Sequence, residues 1–130
     1  MAEALAAARG LLPGPRAKGP RLVLITSLRR ADSARDQIEM VAVTKEAAWR
    51  IATPLIGFDI MPNGTGDAVA ALFTAHWLES GNIADALGKA TSSIYAVLEA
   101  TRAMGERELQ LVAAQDRLVS PPRRFTVERL

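Results

Sequence analysis

The sequence has no cysteine. Disulfides, thiolate metal sites and cysteine nucleophiles are thereby excluded, and the composition fits a reducing compartment. Histidine occurs once, at His76, so no second histidine or cysteine is present to build a metal site with it. Aromatic residues are scarce at 5%, leaving few platforms on which bases could stack. Charge of one sign is also lacking. Sixteen basic residues face fourteen acidic ones, a net charge of +2, and apart from Arg29-Arg30 and Arg123-Arg124 the basic residues are scattered. Nucleic acid is not an expected partner. No apolar run approaches the roughly 20 residues that span a bilayer. The N-terminus lacks the basic start and apolar core of a secretory signal. The expectation is a cytoplasmic protein with neither a membrane nor a nucleic-acid partner.

What is present is ordinary for a globular protein: 49% apolar and 23% charged residues in a chain of 130. That length makes one domain at most, with room for a real core. Ala2 to Arg9 is alanine-rich and reads as a helix, broken by turn residues from Gly10 through Pro15 to Gly19-Pro20. Arg21 to Thr26 is a continuous apolar run bounded by turn signals, the pattern of a strand buried on both faces. After a polar loop from Arg29 to Asp36, Gln37 to Thr44 sets Ile38, Met40 and Ala42 on one side, as a half-buried antiparallel strand would. Ala48 to Ala52 continues the alternation. Pro54 to Pro62 is irregular.

The second half reads as helical. Gly66 to Glu79 forms a helix ending at Ser80-Gly81. Asn82 caps the next, with Asp85 as a box-like partner three residues on. That helix runs from Ile83 to about Met104, with Ala86, Ala90, Ile94, Val97 and Leu98 on its apolar face. Gly105 ends it. Arg107 to Leu118 is expected to be a short helix, its solvent face carrying Glu108 and continuing from Glu106. Ser120-Pro121-Pro122 stops it, and an extended tail follows with Arg123-Arg124 in solvent. His76, Trp49 and Trp77 are expected to be packing or surface residues.

The stretch with chemical content is Asn63-Gly64-Thr65-Gly66-Asp67. A glycine-rich turn lets backbone amides converge without Cβ obstruction, and the following helix adds unpaired N–H donors and a positive dipole end. This is an anion site, most naturally for phosphate. A carboxylate inside an anion site repels the ligand, so Asp67 needs a role, and accepting a proton from an attacking hydroxyl is the obvious one. The plainer alternative is a carboxylate favoured in a first helical turn behind an ordinary glycine turn.

These residues resemble the C-terminal half of the pyridoxal kinases, in the ribokinase-like superfamily, over nearly the whole chain. The resemblance rests on Leu22-Val23-Leu24-Ile25-Thr26-Ser27, on the Asn63 to Asp67 motif, and on the two helices after it. Thr101, then Glu108-Leu109-Gln110-Leu111-Val112 and Gln115-Asp116, match pyridoxal kinases more than sugar kinases. The resemblance implies an α/β fold, the C-terminal half of a ribokinase-like sheet covered by helices, with residues 1–130 forming a partial kinase domain that carries the anion hole. It implies ATP-dependent transfer of the γ-phosphoryl group to the 5′-hydroxyl of pyridoxal or a related B6 vitamer. Asp67 matches the catalytic base, and Gly64, Thr65 and Gly66 the anion hole. Thr26, Ser27, Leu55, Ile56 and Asn63 match nucleotide-contacting positions. Magnesium would be held mainly through the phosphates and by residues outside this chain, and no residue of this chain is expected to be a metal ligand. Full-length members are expected to be homodimers.

The pattern departs from the family in length. The half that provides most of the central sheet and the vitamin pocket has no counterpart here, so the isolated chain is expected to be inactive and its strand Arg21–Thr26 to lack a neighbour. A hydroxymethylpyrimidine or sugar kinase of the same superfamily, or a non-catalytic binding module, would share the motif.

Overall fold

The computed structural model of the protein describes residues 1–14 and 17–130; the Pro15 end of the expected helix break lies outside them. Eight elements follow in chain order. They are α1 (Ala2–Leu11), β1 (Val23–Leu28), β2 (Gln37–Val43), β3 (Ala48–Pro54), α2 (Thr65–Ser80), α3 (Ile83–Met104), α4 (Gln115–Val119) and β4 (Val127–Arg129). The strands make one antiparallel sheet in the order β1-β2-β3-β4.

Pairing of Val41 with Arg50 and of Met40 with Ile51 fixes which side chains share a face. One face presents Ala42 and Ile51 to Phe73 of α2 and to Ala86, Leu87 and Ala90 of α3, forming the main core. The other presents Val41, Val43 and Ala48 to Ala8 of α1. Each fully buried Val, Leu, Ile or Phe side chain here contributes about 1.5–3 kcal/mol of transfer free energy, and each alanine methyl roughly 0.8 kcal/mol. The sheet is thus a middle layer between helices.

Four expectations are corrected. The strand read at Arg21–Thr26 begins and ends two residues later and is not buried on both faces: it pairs antiparallel with β2, its apolar residues are half-buried, and Thr26 and Ser27 are exposed. Its apolar run marks a strand partly covered on its faces and left with one free edge among the described residues. The second strand is not half-buried: Val41 and Val43 are as buried as Ala42, because α1 covers the face that alternation assigned to solvent. The first helix runs past Arg9 to Leu11, with Leu12 extended at its end.

The fourth correction concerns the C-terminal segment. Residues 107–114 are not helical; only Gln115–Val119 is. Gly105 stops α3 in the left-handed region at φ 69°. The chain then turns back so that the Gln110 amide donates to Thr101 Oγ1 at 3.1 Å. A tertiary bond captured a donor that a helix would have used. Nor is the tail free. Val127 to Arg129 pairs with β3, and the Arg123 guanidinium lies over the rings of Tyr95 and Phe125, 3.5 Å from Glu99. Asn82 does cap α3, accepting from the Asp85 amide at 3.1 Å, while the Asp85 carboxylate pairs with Lys89 rather than closing a box.

Candidate anion and nucleotide site

Gly64 is the N-cap of α2 and sits at φ 80°, a conformation that glycine adopts without the penalty a Cβ brings. No side chain caps this helix. The first bond of the helical ladder runs from the Ala68 amide to the Gly64 carbonyl at 2.9 Å. The amides of Thr65, Gly66 and Asp67 come before that bond and have no intrahelical partner. They point outward from the positive end of a 16-residue helix. Gly66 has no left-handed φ, and a Cβ built on it would meet nothing within 4 Å. Neither its backbone nor its neighbours require glycine there. Asp67, in the first turn, is exposed.

The turn before Gly64 is held by three contacts. Thr65 Oγ1 donates to the Pro62 carbonyl at 2.8 Å. Asn63 forms a parallel bridge with Glu108, and its Nδ2 donates to Glu108 Oε1 at 3.2 Å. The Arg102 guanidinium donates to the Gly57 carbonyl. Further back, the Leu55 amide donates to the Asp36 carbonyl, fixing where the loop leaves β3.

A mostly apolar cleft opens beside this turn, walled by Ser27, Met40, Leu55, Ile56, Thr65 and Tyr95 among others. The structure therefore brings Ser27, Leu55, Ile56 and Thr65 onto one cleft wall. It leaves Thr26 exposed on the edge strand and ties Asn63 to Glu108 instead. Ser27 is the one non-glycine residue at positive φ among those described, at 56°, where the β1–β2 register shifts between Ile25 and Leu28. Such conformations cost about 1–3 kcal/mol and concentrate at functional sites. Among the described residues no group of three or more His, Cys, Asp or Glu side chains could hold a metal ion. Among the described residues no helix is long and apolar enough to cross a membrane. His76 is half-buried on α2, with Nδ1 3.8 Å from Glu79 Oε2.

No expectation placed Glu108, Thr101 or Arg102 at this turn, and Glu106 and Glu108 lie before the part of the expected helix that forms, Gln115–Val119. Asn63 and Glu108 are 45 residues apart, and no local pattern announces their pairing.

The fold and the glycine turn define the class first: part of a ribokinase-like α/β domain. The structure matches that of pyridoxal kinase from Leishmania donovani in complex with ADP and ginkgotoxin with a TM-score of 0.74 and 26% identity, over 86% of this chain and 39% of that one. In sequence the chain is homologous to the C-terminal part of the pyridoxal kinases. It is 51% identical over 128 residues to pyridoxal kinase PdxY of Rubrobacter xylanophilus, covering 98% of this chain and 42% of that protein. It is 47% identical over 130 residues to pyridoxal kinase PdxY of Deinococcus radiodurans, covering 44% of that protein. The chain thus spans less than half the length of the curated relatives it matches. No protein-family model matches it.

Proposed function

We propose that residues 1–130 are the anion-binding part of a pyridoxal kinase domain, acting in ATP-dependent phosphorylation of the 5′-hydroxyl of pyridoxal or a related B6 vitamer. One observation carries the reading. The unclaimed amides of Thr65, Gly66 and Asp67, behind the left-handed Gly64, stand in a chain homologous to the C-terminal part of pyridoxal kinases. The Leishmania protein's complex with ADP supports assigning the adjoining cleft to the nucleotide.

In this reading the vitamin's hydroxyl oxygen attacks the γ-phosphorus, the bond from the γ-phosphorus to the bridging oxygen breaks, and ADP leaves. Asp67 takes the hydroxyl proton, a role that its exposed position in the first turn of α2 allows. The Gly64-Thr65-Gly66 loop, through the unclaimed Thr65 and Gly66 amides, stabilises charge on the phosphoryl oxygens as the group moves, which is most of what phosphoryl transfer asks of a protein. Ser27, Leu55 and Ile56 line the nucleotide's cleft, with Thr26 and Asn63 at its margins. Magnesium, when bound through the phosphates, would neutralise part of their charge; among the described residues no group of three or more His, Cys, Asp or Glu side chains would hold it. Homodimerisation of the full-length protein and a cytoplasmic site of action belong to the same reading.

The isolated chain should bind ADP weakly and show negligible turnover in a coupled ADP-release assay with pyridoxal and magnesium-ATP. Joined to the N-terminal part of the Rubrobacter relative, it should phosphorylate pyridoxal, and Asp67→Asn should lower kcat by roughly 10²- to 10⁴-fold. Unchanged turnover in Asp67→Asn would remove Asp67 as the base. Ordinary turnover by the 130-residue chain alone would show that it needs no further wall.

A further inference from the structure

The far end of α3 holds the glycine turn from two sides. Thr101 is 0% exposed, and its hydroxyl donates to the Val97 carbonyl at 2.8 Å while accepting the Gln110 amide at 3.1 Å. That pins the segment after α3 onto the helix. Gln110 Nε2 in turn donates to the Glu108 carbonyl at 3.0 Å, so the residue held by Thr101 also holds the backbone at Glu108. From there Glu108 reaches Asn63 twice, through the parallel bridge and through its carboxylate. Asn63 is the residue immediately before Gly64. One residue beyond Thr101, Arg102 holds the Gly57 carbonyl at the other end of the same loop.

From this arrangement we infer that Glu108 is a positioning residue for the anion site: by anchoring Asn63 it sets the plane of the peptide entering Gly64, and so the direction of the Thr65 and Gly66 amides. The inference rests on the anion-site reading of the previous section. Its chemistry is particular. The groove end is exposed, and a carboxylate set close to an anion site opposes ligand binding through its charge. A carboxylate at that place is useful only as an acceptor, and Asn63 Nδ2 is the donor it serves. The amide oxygen of a glutamine would serve the same donor without the charge.

The test uses the 130-residue chain, with amide NMR shifts of Gly64 and Gly66 read first without ligand and then during titration with ADP and with inorganic phosphate. Glu108→Ala should move both glycine amide resonances in the free protein and weaken ADP binding about threefold to tenfold, the range that one such hydrogen bond supplies. Glu108→Gln should restore both the shifts and the affinity. Asn63→Ala should reproduce the Glu108→Ala effect, and the double variant should be no weaker than either single one. Glu106→Ala, on the neighbouring exposed position, should leave shifts and affinity as they are. Unmoved glycine resonances in Glu108→Ala, or a Glu108→Gln variant as impaired as Glu108→Ala, would overturn the positioning role. Failure of the unaltered chain to bind either ADP or phosphate would instead count against the anion-site reading, and the ligand-free shifts would still decide the role of Glu108.

Discussion

At residue scale the two glycines of the motif have different reasons to be glycine. Gly64 needs its left-handed φ of 80° to turn the chain into α2. Gly66 lies inside the first helical turn, where glycine costs about 1 kcal/mol relative to alanine, and nothing within 4 Å would resist a Cβ. A close approach of ligand to its amide is the remaining physical reason for a bare Cα. Gly66→Ala should therefore raise the stability of the free chain by about 0.5–1 kcal/mol in a urea melt while weakening ADP binding. A variant that is destabilised, or binds ADP as before, would show that the glycine serves something else. The motif itself was legible in the sequence because its chemistry is local. The contact of Glu108 with Asn63 and the left-handed backbone of Ser27 were not: one depends on a partner 45 residues away, the other on a register shift against a neighbouring strand.

At the scale of elements, β2, β3 and β4 are joined by charge as well as by ladder bonds. Glu39 is 1% exposed, receives two hydrogen bonds from Arg30, at 2.8 and 3.0 Å, and one from Arg50 at 3.0 Å. Arg50 continues to Glu128 on β4 at 2.7 Å. The hydrogen bond from Arg30 holds the Glu39 carboxyl below the usual carboxylate range, helped by the charges of Arg30 and Arg50 and opposed by burial. Its pKa is lower folded than unfolded, so the unfolded chain binds the proton more readily. The contribution is then complete above the unfolded value of about 4.3 and is lost as pH falls through the lower folded one. Glu39→Gln should cost about 1–3 kcal/mol at pH 7, because it removes the charge that Arg30 and Arg50 share and leaves them only the more exposed Asp32 and Glu128. It should also flatten the loss of stability on acidification below pH 5. Urea melts at several pH values give both numbers, and an equally stable Glu39→Gln at pH 7 would mean that the network contributes nothing net. Helix periodicity found α2 and α3 almost to the residue, since both are long and end in strong signals. It failed at 107–114, where Leu109, Leu111 and Val112 have helical spacing but the Thr101 hydroxyl takes the Gln110 amide.

For the whole molecule, the informative surface is the free edge of β1. Its partner on one side is β2, and no strand pairs its other side among the described residues. Arg21, just before it, lies over the Trp77 ring of α2, so the edge runs alongside a helix that buries only Val69 and Phe73 and leaves Leu78 76% exposed. An open strand edge flanked by apolar surface pairs with whatever strand is offered. Sedimentation velocity on the 130-residue chain should show dimers or larger species growing with concentration; a monomer at all concentrations, melting in one cooperative step, would contradict this.

By itself the sequence determined the glycine turn and its carboxylate, the two long helices, and the kinship with the C-terminal part of pyridoxal kinases. Each is written in near neighbours, through backbone conformations only glycine takes readily, through the 3.6-residue period, or through runs of identity. Tertiary structure alone decided that β2 is covered on both faces, that the tail returns as β4, and that Glu108 reaches Asn63. Those outcomes depend on which surfaces meet across the fold, and hydrogen bonds between distant segments override the local preferences that a sequence displays.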